Sequence, residues 1–410
     1  MVKIIPKIPV VFKGKFPKGY INDVHDWAFS KERVKETLID GTPKLLTLDI
    51  DFGVQCSLNC PHCFRRSVSL NNLKANALSY DETIKLLKDA KELGLESVKF
   101  LGAGEPFENK LFLDFLIDLK KLGIIPCIFT KGHVIADDKL VKKYYGHHGI
   151  KTGKQLAEKL RELDVSILLG FNSFDPKVQD WMVSYKGICG VKNYTQKRNK
   201  AIKIFVDAGF NSQNPTRLAL VSTPITPKNI KEIFEIYKWG RERNIYVVTT
   251  PTMVSGRGAE QKRLQESDYG KEKFENELIQ LYTKINIWNI EKGITTLKQL
   301  EEEGVSCYAG AHPCNQASCG MYMTLKGKVI RCPGRDDKQS TFCEDIRKTT
   351  LRKVWVNSEN CKRAGTFNNH CPAKDGLTIP KRLYGEVLNN VRAYFNKPQK
   401  DEGCNFEGNI

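Results

Sequence analysis

Cys56, Cys60 and Cys63 fall within eight residues of the segment 54-VQCSLNCPHCFRRS-67, at the spacing C-x3-C-x2-C. Three thiolates so placed can hold three irons of a [4Fe–4S] cube on one tight loop, leaving the fourth iron without a protein ligand. An iron open in that way binds substrate or cofactor. Zinc competes for the same thiolates, but structural zinc usually takes four ligands in paired C-x2-C knuckles, and the further candidate nearby is His62, inside the motif. Three unligated thiols are a third alternative, one that an exposed loop would keep reduced only with difficulty.

Thirteen cysteines in 410 residues, an odd number, fit a disulfide framework poorly and fit reduced thiols that bind metal or react. Eight of them, Cys307, Cys314, Cys319, Cys332, Cys343, Cys361, Cys371 and Cys404, crowd the C-terminal quarter. They contain no C-x2-C knuckle, which argues against a zinc ribbon. Cys127 lies inside an apolar run and reads as a packing residue.

A composition that is 40% hydrophobic and 27% charged, with a mean hydropathy of -0.40, describes a water-soluble globular chain rather than a disordered or membrane one. The opening MVKIIPKIPVVFKGKFPKGY breaks its apolar stretch with Lys3, Pro6, Lys7 and Pro9, so it lacks a signal-peptide core, and a cytoplasmic location is expected. The net charge of +18 is spread along the chain with no block of five or six like charges. A lysine-rich solvated surface explains it; an anionic substrate, an acidic peptide or a nucleic acid is the alternative.

Between residues 46 and 255, short β-rich runs alternate with helical runs, the pattern of a parallel sheet with crossover helices. Strands are expected at 45–52, 97–102, 124–130, 165–171, 217–222 and 245–250. Ser79 and Glu82 form a capping-box pattern before a helix, and Thr226-Pro227 is expected to open another. Six such repeats predict an α/β fold, a partial (β/α)6 barrel, whose functional residues lie at the C-terminal ends of its strands. The cysteine triplet sits there, just after the first strand. Past residue 255 the alternation is lost, so the expected organisation is an N-terminal arm (1–45), the barrel (46–255), a helical bridge (256–300), a small cysteine-rich α+β domain (301–375) and a tail (376–410).

The segment 56-CSLNCPHCF-64 resembles the signature of the radical S-adenosylmethionine superfamily, including the aromatic Phe64 after the last cysteine. The resemblance implies a cluster on Cys56, Cys60 and Cys63 that chelates S-adenosylmethionine and cleaves it reductively to a 5′-deoxyadenosyl radical. Residues 102-GAGEP-106 resemble the family's GGEP motif at the methionine amino group, so Gly102, Ala103, Gly104, Glu105 and Pro106 become cofactor residues, with Ala103 where glycine is more usual. The segment 129-FTKG-132 resembles a TNG-like turn near the cofactor (Thr130, Lys131). Likewise 171-FNSFDP-176 resembles the part that reaches ribose and carboxylate (Asn172, Ser173), and 250-TPTMVSGRG-258 the stretch beside adenine (Gly256, Arg257). Each has a bland alternative: a strand-to-helix turn at Gly104-Glu105-Pro106, and a helix-capping cluster at Asn172, Ser173 and Asp175.

The stretch 314-CNQASCGMYMTLKGKVIRCPG-334, two cysteines and then a hairpin around Gly327, resembles the SPASM domain or its shorter twitch form. The next segment, 345-DIRKTTLRKVWVNSENC-361, resembles that domain's closing helix. The implied auxiliary [4Fe–4S] cluster would use Cys314, Cys319 and Cys332, with Cys343 preferred to Cys371 as fourth ligand; one such cluster is expected, two being possible. It would take an electron from the substrate radical or anchor the substrate. Cys189, on a glycine-flanked loop, could return a hydrogen atom to that radical. The 55 residues before Cys56 are short for a leader-binding domain, which favours a small-molecule substrate (sugar, aminocyclitol or nucleoside) over a peptide delivered by another protein. A reductase or flavodoxin-type protein would donate electrons, with no membrane partner and no nucleic acid expected. The alternative of another class is an iron–sulfur electron carrier without radical catalysis.

Overall fold

All six expected strands form in the computed structural model, which describes residues 3–65, 76–260, 270–314, 316–364 and 370–396. They are β1 (Thr47–Asp51), β2 (Ser97–Gly102), β3 (Ile125–Thr130), β4 (Ser166–Gly170), β5 (Leu218–Ser222) and β6 (Tyr246–Thr249), each parallel to its neighbour in that order. Alternate residues of a strand face opposite sides. Here Cys127, Leu168, Ala219, Val221, Tyr246 and Val248 form one buried cluster inside the barrel. Their neighbours Leu48, Ile50, Val98, Phe100, Ile128, Ile167 and Leu169 join the larger core under the helices. Burial on both faces is why these strands read as near-continuous apolar runs.

Helix punctuation follows the sequence at one site and departs from it at another. The helix Tyr80–Glu92 starts on the expected capping box, with Glu82 N donating to Ser79 Oγ (3.1 Å) and Ser79 N donating to the Glu82 carboxylate (2.7 Å). The helix expected to open at Thr226-Pro227 instead runs Ile230–Arg241, because Asn229 Oδ1 accepts from Thr226 N (2.7 Å) and closes the intervening residues into a turn.

The N-terminal arm has a definite place. Val24 bridges to Thr216, and the His25 carbonyl accepts from Ser166 Oγ (3.1 Å), while Trp27 packs 5.4 Å from the Phe129 ring. Residues 24–28 therefore fill the barrel at the N-terminal ends of its strands, and Cys127, fully buried beside them, packs as expected.

Beyond residue 255 the chain does not leave the sheet. Strand β7 (Gly320–Met323) pairs parallel to β1, and β8 (Val329–Ile330) and β9 (Thr341–Cys343) follow antiparallel, giving nine strands in the order β6-β5-β4-β3-β2-β1-β7-β8-β9. Gly327 turns the β7–β8 hairpin at φ +83°, as the motif implied. The expected closing helix is Leu351–Asn357, anchored by fully buried Trp355, whose Nε1 donates to Pro43 O (2.7 Å). Cys361 is buried in the main core, and Cys404 lies outside the described residues. No helix among the described residues is long and apolar enough to cross a membrane.

One carboxylate ties the cysteine loop to this extension. Asp51, ending β1, accepts from Arg65 Nη2 (3.0 Å) and Nε (3.2 Å), from Leu325 N (3.1 Å) and from the Tyr322 hydroxyl of β7. Burial opposes the Arg65 charge, but the attraction of Asp51 outweighs it and raises the guanidinium pKa further. Removing one member of a buried, hydrogen-bonded ion pair strands the other. Asp51→Ala is therefore expected to lower stability by about 3–5 kcal/mol, read from the anaerobic denaturation midpoint, with Asp51→Asn costing less.

Candidate functional site

The loop after β1 brings Cys56, Cys60 and Cys63 to the wall of a cavity at the C-terminal ends of the barrel strands. Counted with space open to solvent, it holds about 1050 Å³. Phe64, Gly102, Ala103, Gly104, Glu105, Thr130 and Lys131 line the same cavity, as the sequence implied.

Several contacts fix the loop. Glu105 N donates to Gln55 O (2.8 Å), and a Cβ on Gly104 would stand 2.3 Å from that oxygen, so the two backbones meet only because residue 104 is glycine. Glu108, which sequence reasoning overlooked, accepts from Ser57 N (2.9 Å), Ser57 Oγ (2.8 Å) and His133 Nε2 (2.6 Å). Leu58 joins Val183, Val191 and Tyr194 in an apolar cluster against which Cys56 and Cys60 pack.

The two carboxylates are shifted in opposite directions. Burial raises the Glu105 pKa, against the donors Lys131 N (2.9 Å) and Thr130 Oγ1 (2.7 Å). Burial also opposes the Glu108 charge, but the His133 and Ser57 hydrogen bonds prevail and hold it below the usual range. Burial depresses the His62 pKa well below normal, and its enclosed Nδ1 has no hydrogen-bond partner.

Other predicted residues lie elsewhere. Pro106 starts a short 3-10 turn and is buried off the cavity. Gly256 and Arg257 brace the cysteine loop from outside: Arg257 N donates to Cys63 O (2.9 Å) and Nη1 to Asn59 Oδ1 (2.7 Å), and a Cβ on Gly256 would lie 2.3 Å from Phe64 O. Asn172 and Ser173 are fully buried away from the cavity. Asn172 Nδ2 donates to Thr223 O (2.8 Å) and the Ser173 hydroxyl to Glu232, while Asp175 caps Pro176–Trp181; Asn172 Oδ1 is buried without a hydrogen-bond partner. Cys189 packs on the outer side of the loop, with Gly190 N donating to Ser57 O (2.9 Å), and does not line the cavity.

A second cavity of about 910 Å³ lies along the barrel, bordered by Cys307, Cys314, Cys332 and Cys371. These four sit where the C-terminal segments close the barrel beside β6: Ala309 N donates to Thr249 O (3.0 Å) and Val254 N to Gly334 O (2.9 Å). The Cys371 thiol is held below the usual thiol range because Cys307 donates to it, with Lys374 assisting against burial; that same bond, with burial, pushes Cys307 up and keeps it protonated. Burial pushes Cys332 up to about 12.

Two of the cysteines read as cluster ligands are not in this group. Cys319 packs with Phe29, Val34 and Leu46, and Cys343 sits on β9 among Glu344, Asp345 and Lys348. Cys307, left out by spacing, takes a place instead. Asp49 and Lys99 also border this cavity, as inward residues of β1 and β2, and burial raises the Asp49 pKa to about 7. A charged residue recurring at an inward position of an apolar strand was the available signal.

The two cavities share Leu101, Phe129, Val221, Thr223 and Met253 as walls. Each set of thiols faces them from its own side. Among the described residues, three possible ligand atoms lie within 4.8 Å of one another only at Asp114, His147 and His148. A tetrahedral zinc would hold its sulfurs about 3.8 Å apart. Neither thiol group is therefore gathered as closely as three zinc ligands would be, although Cys307 and Cys371 are in hydrogen-bond contact, and a cube, whose ligands bind separate irons, does not require that closeness.

Residues 50–239 match the model of the radical SAM superfamily. Over 193 residues the chain is 23% identical to the tungsten-containing aldehyde ferredoxin oxidoreductase cofactor-modifying protein of Pyrococcus furiosus, a match covering 47% of each chain, so the chain spans about half the length of that relative. The solved structure of native anSMEcpe with bound AdoMet is similar at a TM-score of 0.55 and 17% identity, covering 85% of this chain and 96% of that one. Native anSMEcpe with bound AdoMet and Cp18Cys peptide is similar at 0.54 and 15%, covering 85% and 96%. At such identities the likeness is one of fold. Over residues 50–239 the chain carries a radical SAM domain.

Proposed function

We propose that the protein holds a [4Fe–4S] cluster on Cys56, Cys60 and Cys63 with S-adenosylmethionine in the adjoining cavity, and one auxiliary [4Fe–4S] cluster on Cys307, Cys314, Cys332 and Cys371. The observation that carries this reading is the pair of cavities with five walls in common, each bordered by its own thiols. The cluster with S-adenosylmethionine supplies a 5′-deoxyadenosyl radical that abstracts hydrogen from substrate.

The chain's own residues bind and exclude. The Gly102–Gly104 backbone, free of large side chains, lets a ligand approach the wall closely. Glu105 keeps that wall in register with the Thr130–Lys131 turn. Leu101, Phe129, Val221 and Met253 keep the passage between the cavities apolar and short of water, which protects a radical from side reactions.

The gathering of four thiols at one cavity supports a single auxiliary cluster: Cys319, Cys343 and Cys361 do not border that cavity. A small molecule is the proposed substrate. A side chain presented by a peptide is the second reading, favoured by the peptide carried in the anSMEcpe structure. An acidic reductase or flavodoxin-type donor suits a chain of net charge +18.

Two measurements test this reading. Reconstituted anaerobically and given reductant and S-adenosylmethionine, the wild-type protein is expected to release 5′-deoxyadenosine, and the Cys56→Ala/Cys60→Ala/Cys63→Ala variant none; a silent wild type contradicts radical chemistry. In that triple-variant background about four irons are expected to remain. Adding Cys307→Ala should remove them and adding Cys343→Ala should not, while the reverse result would restore the ligand set read from spacing.

A further inference from the structure

Asp49 and Lys99 are register partners on β1 and β2, each 3% exposed, and both face the cavity beside the four thiols. Lys99 Nζ stands 4.0 Å from Asp49 Oδ1, beyond direct hydrogen bonding. The ammonium has other company: it donates to Gln316 Oε1 (3.2 Å) and lies 4.6 Å over the Trp27 ring. Asp49 Oδ1 is buried with no hydrogen-bond partner. A buried carboxylate oxygen left without a donor is costly, and Asp49 is one of the residues that line the cavity.

A 4.0 Å gap between donor and acceptor can be spanned by one atom lying about 2.8 Å from each, provided that the atom both accepts and donates. A hydroxyl does both, accepting from Lys99 and donating to Asp49. A carboxylate would accept from Lys99 but repel Asp49 in its ionised form, and an ammonium would donate to Asp49 but repel Lys99. We propose that Asp49 and Lys99 recognise a hydroxyl group of the substrate, so that the substrate of this enzyme is an alcohol. The proposal rests on the radical chemistry proposed above. It puts that hydroxyl at the end of the barrel cavity bordered by the four thiols, beyond the apolar passage from the triplet.

The test needs no identified substrate. Holoprotein with reductant and S-adenosylmethionine is supplied in turn with glycerol, propionate and propylamine, each deuterated at carbon and at equal concentration. The readout is the fraction of 5′-deoxyadenosine that carries deuterium. Glycerol is expected to give the largest fraction, and Asp49→Leu and Lys99→Met each to lower it about ten-fold, the loss expected when one partner of a buried hydrogen bond is removed. Iron content confirms that each variant assembles, and Asp49→Asn and Lys99→Gln replace any that does not. No preference for glycerol, or an unchanged fraction in the variants, would overturn the alcohol assignment and leave the pair a structural one. Absence of 5′-deoxyadenosine from the wild type is a different outcome, which overturns the radical reading and this inference with it.

Discussion

The Asp51 carboxylate fixes the relation between the two halves of the molecule. It ends β1, holds Arg65 at the close of the cysteine loop, and takes a backbone N–H from Leu325 and the Tyr322 hydroxyl from β7. The loop that presents the triplet and the strand that extends the sheet toward the C-terminal cysteines are therefore referred to one buried group. A carboxylate accepting so many donors is restricted in position, and so is everything bonded to it. Glycine at 104 and the bonds of Glu108 then settle the loop against the barrel.

The barrel interior separates work by polarity. Its middle is apolar, with Phe129, Val221 and Met253 between the two cavities, and its ends carry the thiols. The N-terminal arm seals one end with Trp27, and the segments around Cys307, Cys332 and Cys371 close the side that six strands leave open. Beside the second set of thiols the sequence places a charged pair, Asp49 and Lys99, whose burial is costly.

How much of this was legible depended on how local each signal was. The six strands, the capping box at Ser79 and the hairpin at Gly327 are written in runs of a few residues, and all of them formed. The triplet and the glycine-rich turn also meet in space as their spacing implied. Pairing of β7 with β1 joins residues some 270 positions apart across a four-residue strand, and no local pattern announces it. The same distance effect hid the cysteine group. Cys319 follows Cys314 closely, yet the short helix Gln316–Cys319 turns its thiol toward Leu46, whereas Cys307 and Cys371, 64 residues apart, meet. Asn172 and Ser173 lie away from the cavity, with Asn172 Nδ2 and the Ser173 hydroxyl bonded within a buried turn, a long-range arrangement that their local motif does not announce.

Two iron–sulfur sites are expected to border two adjoining cavities of the barrel, and everything proposed for the chemistry depends on that arrangement. Diffraction from anaerobically grown crystals, with iron located by its anomalous scattering, tests it most directly. Two four-iron peaks are predicted, one bonded to Cys56, Cys60 and Cys63 and the other to Cys307, Cys314, Cys332 and Cys371, with the Asp49–Lys99 pair between them. A second peak at Cys319 or Cys343, or no second peak, would contradict the account.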